Sequence, residues 1–159
     1  MRGRKIYLAS SWRNEQQPSV LKRLREDGHE VYDFRNPAEG NSGFGWKACQ
    51  YDMHDPQLYV RHITRDPVAA AGFLFDRDAL NWCDTCVLLL PCGRSAHLEA
   101  GYAIGQGKQT FIVISPEKFE PELMYLLATG ICESVTDLMV ALRNYSSGCS
   151  SIYGWVSLS

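Results

Sequence analysis

Short apolar segments alternate with helix-like segments along this chain, and that alternation is the strongest constraint on its fold. The segments predicted as strands are Lys5–Ala9, Glu30–Asp33, Thr85–Leu90, Gln109–Ile114 and Ile131–Glu133. Near-continuous apolar strands joined by helices are typical of a parallel sheet that is covered on both faces. We therefore predict an α/β fold, a single doubly wound, flavodoxin- or Rossmann-like domain over residues 1–144, with a parallel sheet of about five strands flanked by helices.

Helical spacing of apolar residues, proline starts and glycine stops predict the helices between these strands. They are Pro18–Asp27, Gln57–Thr64, a stretch from Asp76 to Asp84, Ser95–Gln106 with Ser95 as its N-cap, Pro121–Thr129 and Val135–Leu142. Residues 35–67 interrupt the pattern with three glycines and three prolines, and we predict an irregular insertion over the site. Its aromatic residues argue against a disordered segment. Residues 145–159 are predicted as a separate tail.

Charge and hydropathy narrow the classes of partner. Sixteen Lys and Arg against eighteen Asp and Glu give a net charge of -2, with no basic cluster of the kind that binds nucleic acid. The longest apolar run, Leu123 to Ala128, is far shorter than the ~20 residues of a membrane span. The N-terminus does not resemble a signal peptide. We expect a cytoplasmic protein whose partner is a small molecule, with no nucleic acid and no membrane.

Six cysteines raise the question of a zinc site, because Cys83 and Cys86 have ligand spacing and Cys92 and His97 follow. However, a strand over Thr85–Leu90 would hold Cys86 and Cys92 ~20 Å apart. Sulfurs that lie ~2.3 Å from one zinc ion cannot span that distance. We therefore expect small buried thiols and no metal site.

Polar residues follow three of the predicted strands, at the edge where doubly wound sheets bind their ligands. These residues are Ser10, Ser11 and Arg13 after the first strand, Asp33 and Arg35 after the second, and Gly93, Arg94 and Ser95 after the third. Arginine beside hydroxyl groups suits phosphate or sugar oxygens. Serines at such positions are also ordinary turn and cap residues. Both interpretations hold together, since a capped helix start leaves backbone N–H groups for an anion.

Glu99 lies in an almost wholly apolar helix near this edge. A carboxylate early in a helix is favoured by the helix dipole, which is the simplest interpretation. Its apolar surroundings favour a function, because an unpaired buried charge is costly. A glutamate in such a pocket can act as a nucleophile toward a sugar anomeric carbon. The chain has neither a Gly-x-Gly-x-x-Gly turn after its first strand nor a Walker lysine loop, which disfavours ordinary NAD binding and P-loop NTP hydrolysis.

Three blocks of sequence resemble the nucleoside 2-deoxyribosyltransferase superfamily. They are Ile6–Ser10, Asp76–Leu90 and, most closely, Gly93–Lys108 with its Glu-Ala-Gly-Tyr-Ala motif. The resemblance implies that Glu99 is the nucleophile, that Asp76 is the acid/base near the nucleobase and that Tyr7 orients the glutamate. Transferases of this superfamily place an aspartate where this chain has Gly93, and the departure favours the nucleoside 5′-monophosphate N-glycosidase branch. Ser11 and Arg13 resemble that branch's phosphate contacts.

The resemblance implies an enzyme that cleaves the N-glycosidic bond of a nucleoside 5′-monophosphate through a covalent glycosyl-glutamate, which water then resolves. Base exchange by a nucleoside 2-deoxyribosyltransferase, a nucleotide-binding sensor without chemistry and a structural subunit with a relic site are the alternatives. No cofactor is expected. The resemblance also implies a homodimer or a higher homo-oligomer whose neighbour completes the pocket.

Overall fold

The sheet has five parallel strands in the order β2-β1-β3-β4-β5, which confirms the predicted α/β fold. We used a computed structural model, which describes residues 3–145. The strands are β1 Lys5–Ala9, β2 Glu30–Tyr32, β3 Thr85–Leu89, β4 Gln109–Val113 and β5 Gly130–Cys132. This order is the doubly wound, flavodoxin type, and the direction of winding reverses between β1 and β3. That reversal leaves a crevice at the carboxyl ends of these two strands.

Helices cover both faces of the sheet. They are α1 Gln17–Glu26, α2 Pro56–His62, α3 Pro67–Trp82, α4 Arg94–Gly105 and α5 Val135–Asn144. Single-turn 3₁₀ helices occur at Trp46–Ala48, Pro116–Lys118 and Leu123–Leu127. Because side chains alternate along a strand, Ile6 and Leu8 of β1 face α1 and α5, whereas Tyr7 and Ala9 face α3 and α4.

Helix α3 is the largest departure from the predicted helices, since it starts at Pro67 and not near Asp76. Asp66 is its N-cap, and its carboxylate accepts hydrogen bonds from the backbone N–H groups of Val68 and Ala69. Proline at the first helical position is well suited to a helix start. The Asp66-Pro67 pair was therefore a readable start signal, and the insertion ends one residue earlier than predicted.

The predicted N-cap of α4 was wrong. Helix α4 begins at Arg94 with Gly93 as its N-cap, and no side chain caps it. Ser95 lies within the first turn and is exposed. The prediction of a helix over Pro121–Thr129 was also wrong in kind, because only the 3₁₀ segment Leu123–Leu127 forms there.

The insertion packs against the rest of the structure. The Phe44 ring lies against Gly72 of α3, where an added Cβ would come within 2.8 Å of the ring. Gly43 lies similarly close to the Trp12 ring and to the Phe34 carbonyl. The insertion therefore contacts both α3 and the turn after β1. Within residues 3–145 we find no helix long and apolar enough to cross a membrane. The predicted tail from residue 146 onward lies outside the described residues.

Candidate functional site

Two tyrosines lie side by side on the face of the sheet that α3 and α4 cover. The register of β1 and β2 pairs Tyr7 with Tyr32, so that both side chains point to the same face. Their rings stack with centroids 5.2 Å apart and an angle of 23° between the planes. On the other side of Tyr7, the register places Cys86 of β3. The sheet thus presents a row of two phenols and one thiol to the helices above it.

Two carboxylates face this row from different helices. Asp76 comes from α3, and its Oδ1 accepts a hydrogen bond of 2.8 Å from the Tyr32 hydroxyl. Glu99 comes from α4 and lies against Tyr7. Tyr7 is fully buried, and its hydroxyl has no partner of strict hydrogen-bond geometry within residues 3–145. Each phenol therefore has its own carboxylate.

Burial raises the pKa of both carboxyl groups. Burial and the nearby charge of Asp76 raise the pKa of Glu99 to about 7, while hydrogen bonding by Tyr7 opposes the rise. Burial also raises the pKa of Asp76, and the Tyr32 hydrogen bond opposes it. Because the charge of Asp76 acts on Glu99, the two carboxyl groups titrate as a coupled pair.

The other titratable groups around the pair stay protonated. Burial, followed by the charges of the two carboxylates, raises the pKa of both Tyr7 and Tyr32 above the ordinary phenol value. Burial raises the pKa of Cys92 to about 12, and the charge of Glu99 adds to the effect. Neutral phenols are hydrogen-bond donors, and a protonated thiol is a poor nucleophile. The carboxyl groups are therefore better candidate nucleophiles than the cysteines.

Neither carboxylate is neutralised by a cation of the described chain. The ion pairs within residues 3–145 involve Asp27, Glu26 and Asp78, and neither Asp76 nor Glu99 takes part in one. Negative charge without a counter-ion is suited to a group that becomes positive during reaction. The pair is therefore electrostatically prepared for a cationic transition state.

The turn after β1 closes the crevice between β1 and β3. The Ser10 hydroxyl donates to the Leu89 carbonyl at 3.0 Å. The buried Asn14 amide donates to the carbonyls of Leu89 and Pro91 at 3.4 and 3.3 Å. Both side chains thereby tie the first turn to the end of β3, directly before α4 begins. The first turn and the turn that leads into α4 are thus joined by hydrogen bonds.

Arg35 and Asp33 are engaged by the protein itself. The Arg35 guanidinium donates to the backbone carbonyls of Ser11, Trp12 and Asn14 at 3.1, 3.1 and 3.0 Å. The buried Asp33 carboxylate accepts hydrogen bonds from the side chains of Gln17 and Asn36 and from the backbone of Arg35; the Gln17 bond is 3.0 Å long. Both residues shape the first turn, although the buried Nε of Arg35 has no hydrogen-bond partner within residues 3–145.

The remaining predicted residues are open to solvent or half-buried. Arg13, Arg94 and Ser95 are exposed, and their side chains make no hydrogen bond within residues 3–145. The half-buried Ser11 hydroxyl accepts from the Arg13 backbone N–H at 3.2 Å. Around Gly93 the space is open, since an added Cβ would meet no atom within 4 Å. The amino end of α4 thus has unoccupied polar groups beside it.

Two clefts lie beside Tyr32 and Cys92, and neither is lined by Asp76 or Glu99. The larger, about 420 Å³, lies on the outer side of Tyr32 between β2 and α3, and Phe75 and Trp82 line it. The smaller, about 220 Å³, lies beside Cys92, His97 and Tyr125. In it, His97 bridges the Gly93 carbonyl and the Tyr125 hydroxyl, each at 2.9 Å. No group of three His, Cys, Asp or Glu side chains in residues 3–145 converges as metal ligands would.

Sequence reasoning missed Tyr32 and Asn14. Tyr32 ends a three-residue strand whose register is set by pairing with β1, and a sequence pattern does not reveal register. Asn14 reads as an ordinary turn residue, although it is 2 % exposed and donates to two carbonyls beyond β3. Burial of a polar turn residue is a tertiary property. The sequence signal was that Tyr32 ends the second strand and that Asn14 lies in the turn after the first, at the edge where such sheets bind ligands.

The chain is similar to known proteins in structure but not in sequence. No family model matches the chain, and no curated protein matches it. Among solved structures, the Clostridium botulinum CMP N-glycosidase BcmB is similar over 87% of this chain and 97% of its own, with 16% identity and a TM-score of 0.45. A similarity of this degree carries no conclusion about chemistry. The function proposed below therefore depends on the side-chain geometry of this chain.

Proposed function

We propose that this protein cleaves the N-glycosidic bond of a nucleoside 5′-monophosphate. The observation that carries the proposal is the pair Glu99 and Asp76, held on two helices over the stacked Tyr7 and Tyr32, with the Glu99 pKa raised to about 7. Two coupled carboxyls of unequal environment are the usual equipment for cleaving a glycosidic bond. One of them attacks and the other handles the proton.

The reactive state has an ionised Glu99 and a protonated Asp76. In the first step a Glu99 carboxylate oxygen attacks C1′, and the bond from C1′ to the base nitrogen breaks. Asp76 gives its proton to the departing base. In the second step water attacks C1′ and transfers a proton to Asp76, while the ester bond to Glu99 breaks and restores the carboxylate. Positive charge on the sugar ring is stabilised by the pair in both steps. All of these groups are side chains or water.

Features at the amino end of α4 favour a substrate that carries a phosphate. Its first turn carries Arg94 and Ser95, and the Gly93 N-cap leaves open space before it. Unpaired N–H groups and the dipole at a helix start attract anions. Ser11 and Arg13 are close in sequence to Ser10, which is tied to the strand that leads into this turn. Together these groups form the proposed phosphate subsite.

Glu99→Ala tests the proposal. The pure protein is incubated with each common ribo- and deoxyribonucleoside monophosphate and with the matching nucleosides, and free base is followed by chromatography. Loss of the nucleophile is expected to reduce base release by about 1,000-fold or more. Glu133→Ala, which changes an exposed glutamate, is the matched control. Base release by Glu99→Ala within a factor of two of the control would contradict the mechanism.

Added free base separates two fates of the glycosyl-enzyme. If water resolves it, the free sugar phosphate accumulates and the added base is not consumed. If a base resolves it, a new nucleotide appears, and the protein is a transferase. Binding without any base release would favour a sensor.

A further inference from the structure

Tyr32 has a role that goes beyond filling the sheet face. Its hydroxyl donates to Oδ1 of Asp76, while Oδ2 of the same carboxyl receives no hydrogen bond from residues 3–145. The two oxygens of the proposed acid are therefore not equivalent. Asp76 itself lies on α3, so this bond joins the second strand to a helix that is 44 residues away in sequence.

The position of the Tyr32 hydroxyl is determined by the fold. Its ring is stacked on the fully buried Tyr7, and the strand register fixes the pair from below. On the other side the ring borders the cleft lined by Phe75 and Trp82. A phenol ring held in this way fixes the position of its oxygen, and only the hydroxyl torsion remains free to point the O–H at Asp76.

A hydrogen bond to one oxygen selects where a carboxylic acid carries its proton. The carbonyl oxygen of a protonated carboxyl accepts well, whereas its hydroxyl oxygen is the donor. Resting on the proposed function, we propose that Tyr32 is a positioning residue for the general acid: it occupies Oδ1, and Oδ2 delivers the proton to the leaving base. The phenol keeps its own proton throughout.

The groups that face Asp76 come from several elements. They are Tyr7 on β1, Tyr32 on β2 and Glu99 on α4, and the next residues on its own helix are Arg77 and Asp78. Arg77 is paired with Asp78, and Tyr7 interacts chiefly with Glu99. Tyr32 is thus the described group that donates a hydrogen bond to Asp76. Its removal raises the pKa of Asp76, because the ionised carboxylate loses a donor.

The substitution Tyr32→Phe keeps the stacked ring and removes only the hydroxyl. We expect kcat for nucleotide cleavage to fall about 10-fold while KM changes less than twofold. The basic limb of the pH–rate profile should move to higher pH, since Asp76 keeps its catalytic proton to a higher pH when its ionised form loses the Tyr32 donor. A substrate whose leaving group departs unprotonated, such as a 4-nitrophenyl riboside 5′-phosphate, should be cleaved at the wild-type rate.

Tyr102→Phe is the matched control. The Tyr102 hydroxyl also donates across α3 and α4, to the Asn81 side chain at 2.9 Å, but it does not touch either carboxylate. A merely structural role for Tyr32 would slow both substrates equally and leave the pH profile in place. Either of those results overturns the proposal.

A titration without substrate separates this inference from the proposed function. Carboxyl ¹³C signals of Asp76 and Glu99 are assigned by their loss in Asp76→Asn and Glu99→Gln. In Tyr32→Phe the Asp76 midpoint should rise by at least about half a pH unit, which the loss of one hydrogen bond to a charged group accounts for. Tyr102→Phe should leave it unchanged. An unchanged Asp76 midpoint in Tyr32→Phe overturns the inference, whether or not the protein cleaves nucleotides.

Discussion

The two faces of the sheet differ in what their helices bury. On the α1/α5 face, the apolar side chains of both helices pack on Ile6 and Leu8. The core there is mainly aliphatic, and its aromatic residues Phe111 and Tyr145 contact each other edge to face. On the α3/α4 face, small alanines let the helices approach, and Tyr7 and Tyr32 meet two carboxylates. The first face stabilises the fold, and the second combines stability with polar groups that are costly to bury.

Exposure follows the same division. Leu138 on α5 is 0% exposed, whereas Leu98 on α4 and Phe73 on α3 are 76% and 63% exposed. Exposed apolar side chains beside a candidate site are typical of surfaces that bind a partner. The expected homo-oligomer stays a prediction. The proposed chemistry thus lies on the face whose helices contribute less to the aliphatic core.

Leu138→Ala removes a buried side chain from the α1/α5 face and has the largest expected effect on the free energy of unfolding. Removal of a fully buried leucine should lower the free energy of unfolding by about 3 kcal/mol, through lost transfer energy and a residual cavity. Urea denaturation measures it, and base release at low temperature should not change. Val140→Ala on the same helix, where the side chain is 49% exposed, is the control, and an equal loss in both variants would contradict the division of faces.

Glu99→Gln removes the free-energy cost of burying a charged carboxylate on the α3/α4 face. The folded chain holds the Glu99 proton up to about pH 7, above the ordinary value of 4.5, so stability is fully present below pH 4.5 and falls as the pH rises to about 7. The variant should be more stable than the wild type by about 2 kcal/mol above pH 7. That difference should disappear below pH 4.5, where both states carry the proton.

Thermal unfolding across that pH range checks the sign. Glu117→Gln changes an exposed glutamate and is the control. A Glu99→Gln variant less stable than the wild type at pH 8 would show that a partner stabilises the carboxylate. The expected cost of burying its charge would then be wrong.

Arg35→Ala has the smallest expected effect and sharpens the boundary of the site. Loss of the three carbonyl contacts should cost about 1 kcal/mol of stability and raise KM for nucleotide and nucleoside alike, because the first turn loosens. Arg61→Ala, an exposed arginine on α2, is the control. If Arg35 instead binds phosphate, stability should not change and KM should rise for the nucleotide alone.

Local signals made much of the fold predictable. The apolar runs of β1, β3 and β4 are continuous, so a parallel sheet was the consistent interpretation. Helix α3 was only partly predicted, since its first half has the Ala-Ala-Ala-Gly run that carries little periodicity. Its start is encoded locally by Asp66, which caps the helix, and by Pro67 at the first helical position.

The sequence indicates candidate members of the site but not the contacts between them. Glu99 stood out because a charged residue interrupts an apolar helix, and Asp76 was added through resemblance. Arg35 looked like a ligand contact from its sequence position, yet the tertiary structure places its guanidinium on three carbonyls of the first turn. Sequence position alone does not tell whether an arginine faces a ligand or its own backbone.

What the sequence determined by itself is the alternation of strands and helices and the presence of a carboxylate in an apolar helix, because both are local patterns along one segment. Only the tertiary structure decided that Tyr32 lies beside Tyr7 and donates to Asp76. Strand register, the packing of α3 beside α4 and the mutual repulsion of Asp76 and Glu99 depend on segments far apart in the chain. Such contacts become fixed when the sheet and both helices close over one core, since each carboxyl pKa depends on burial and on the other charge.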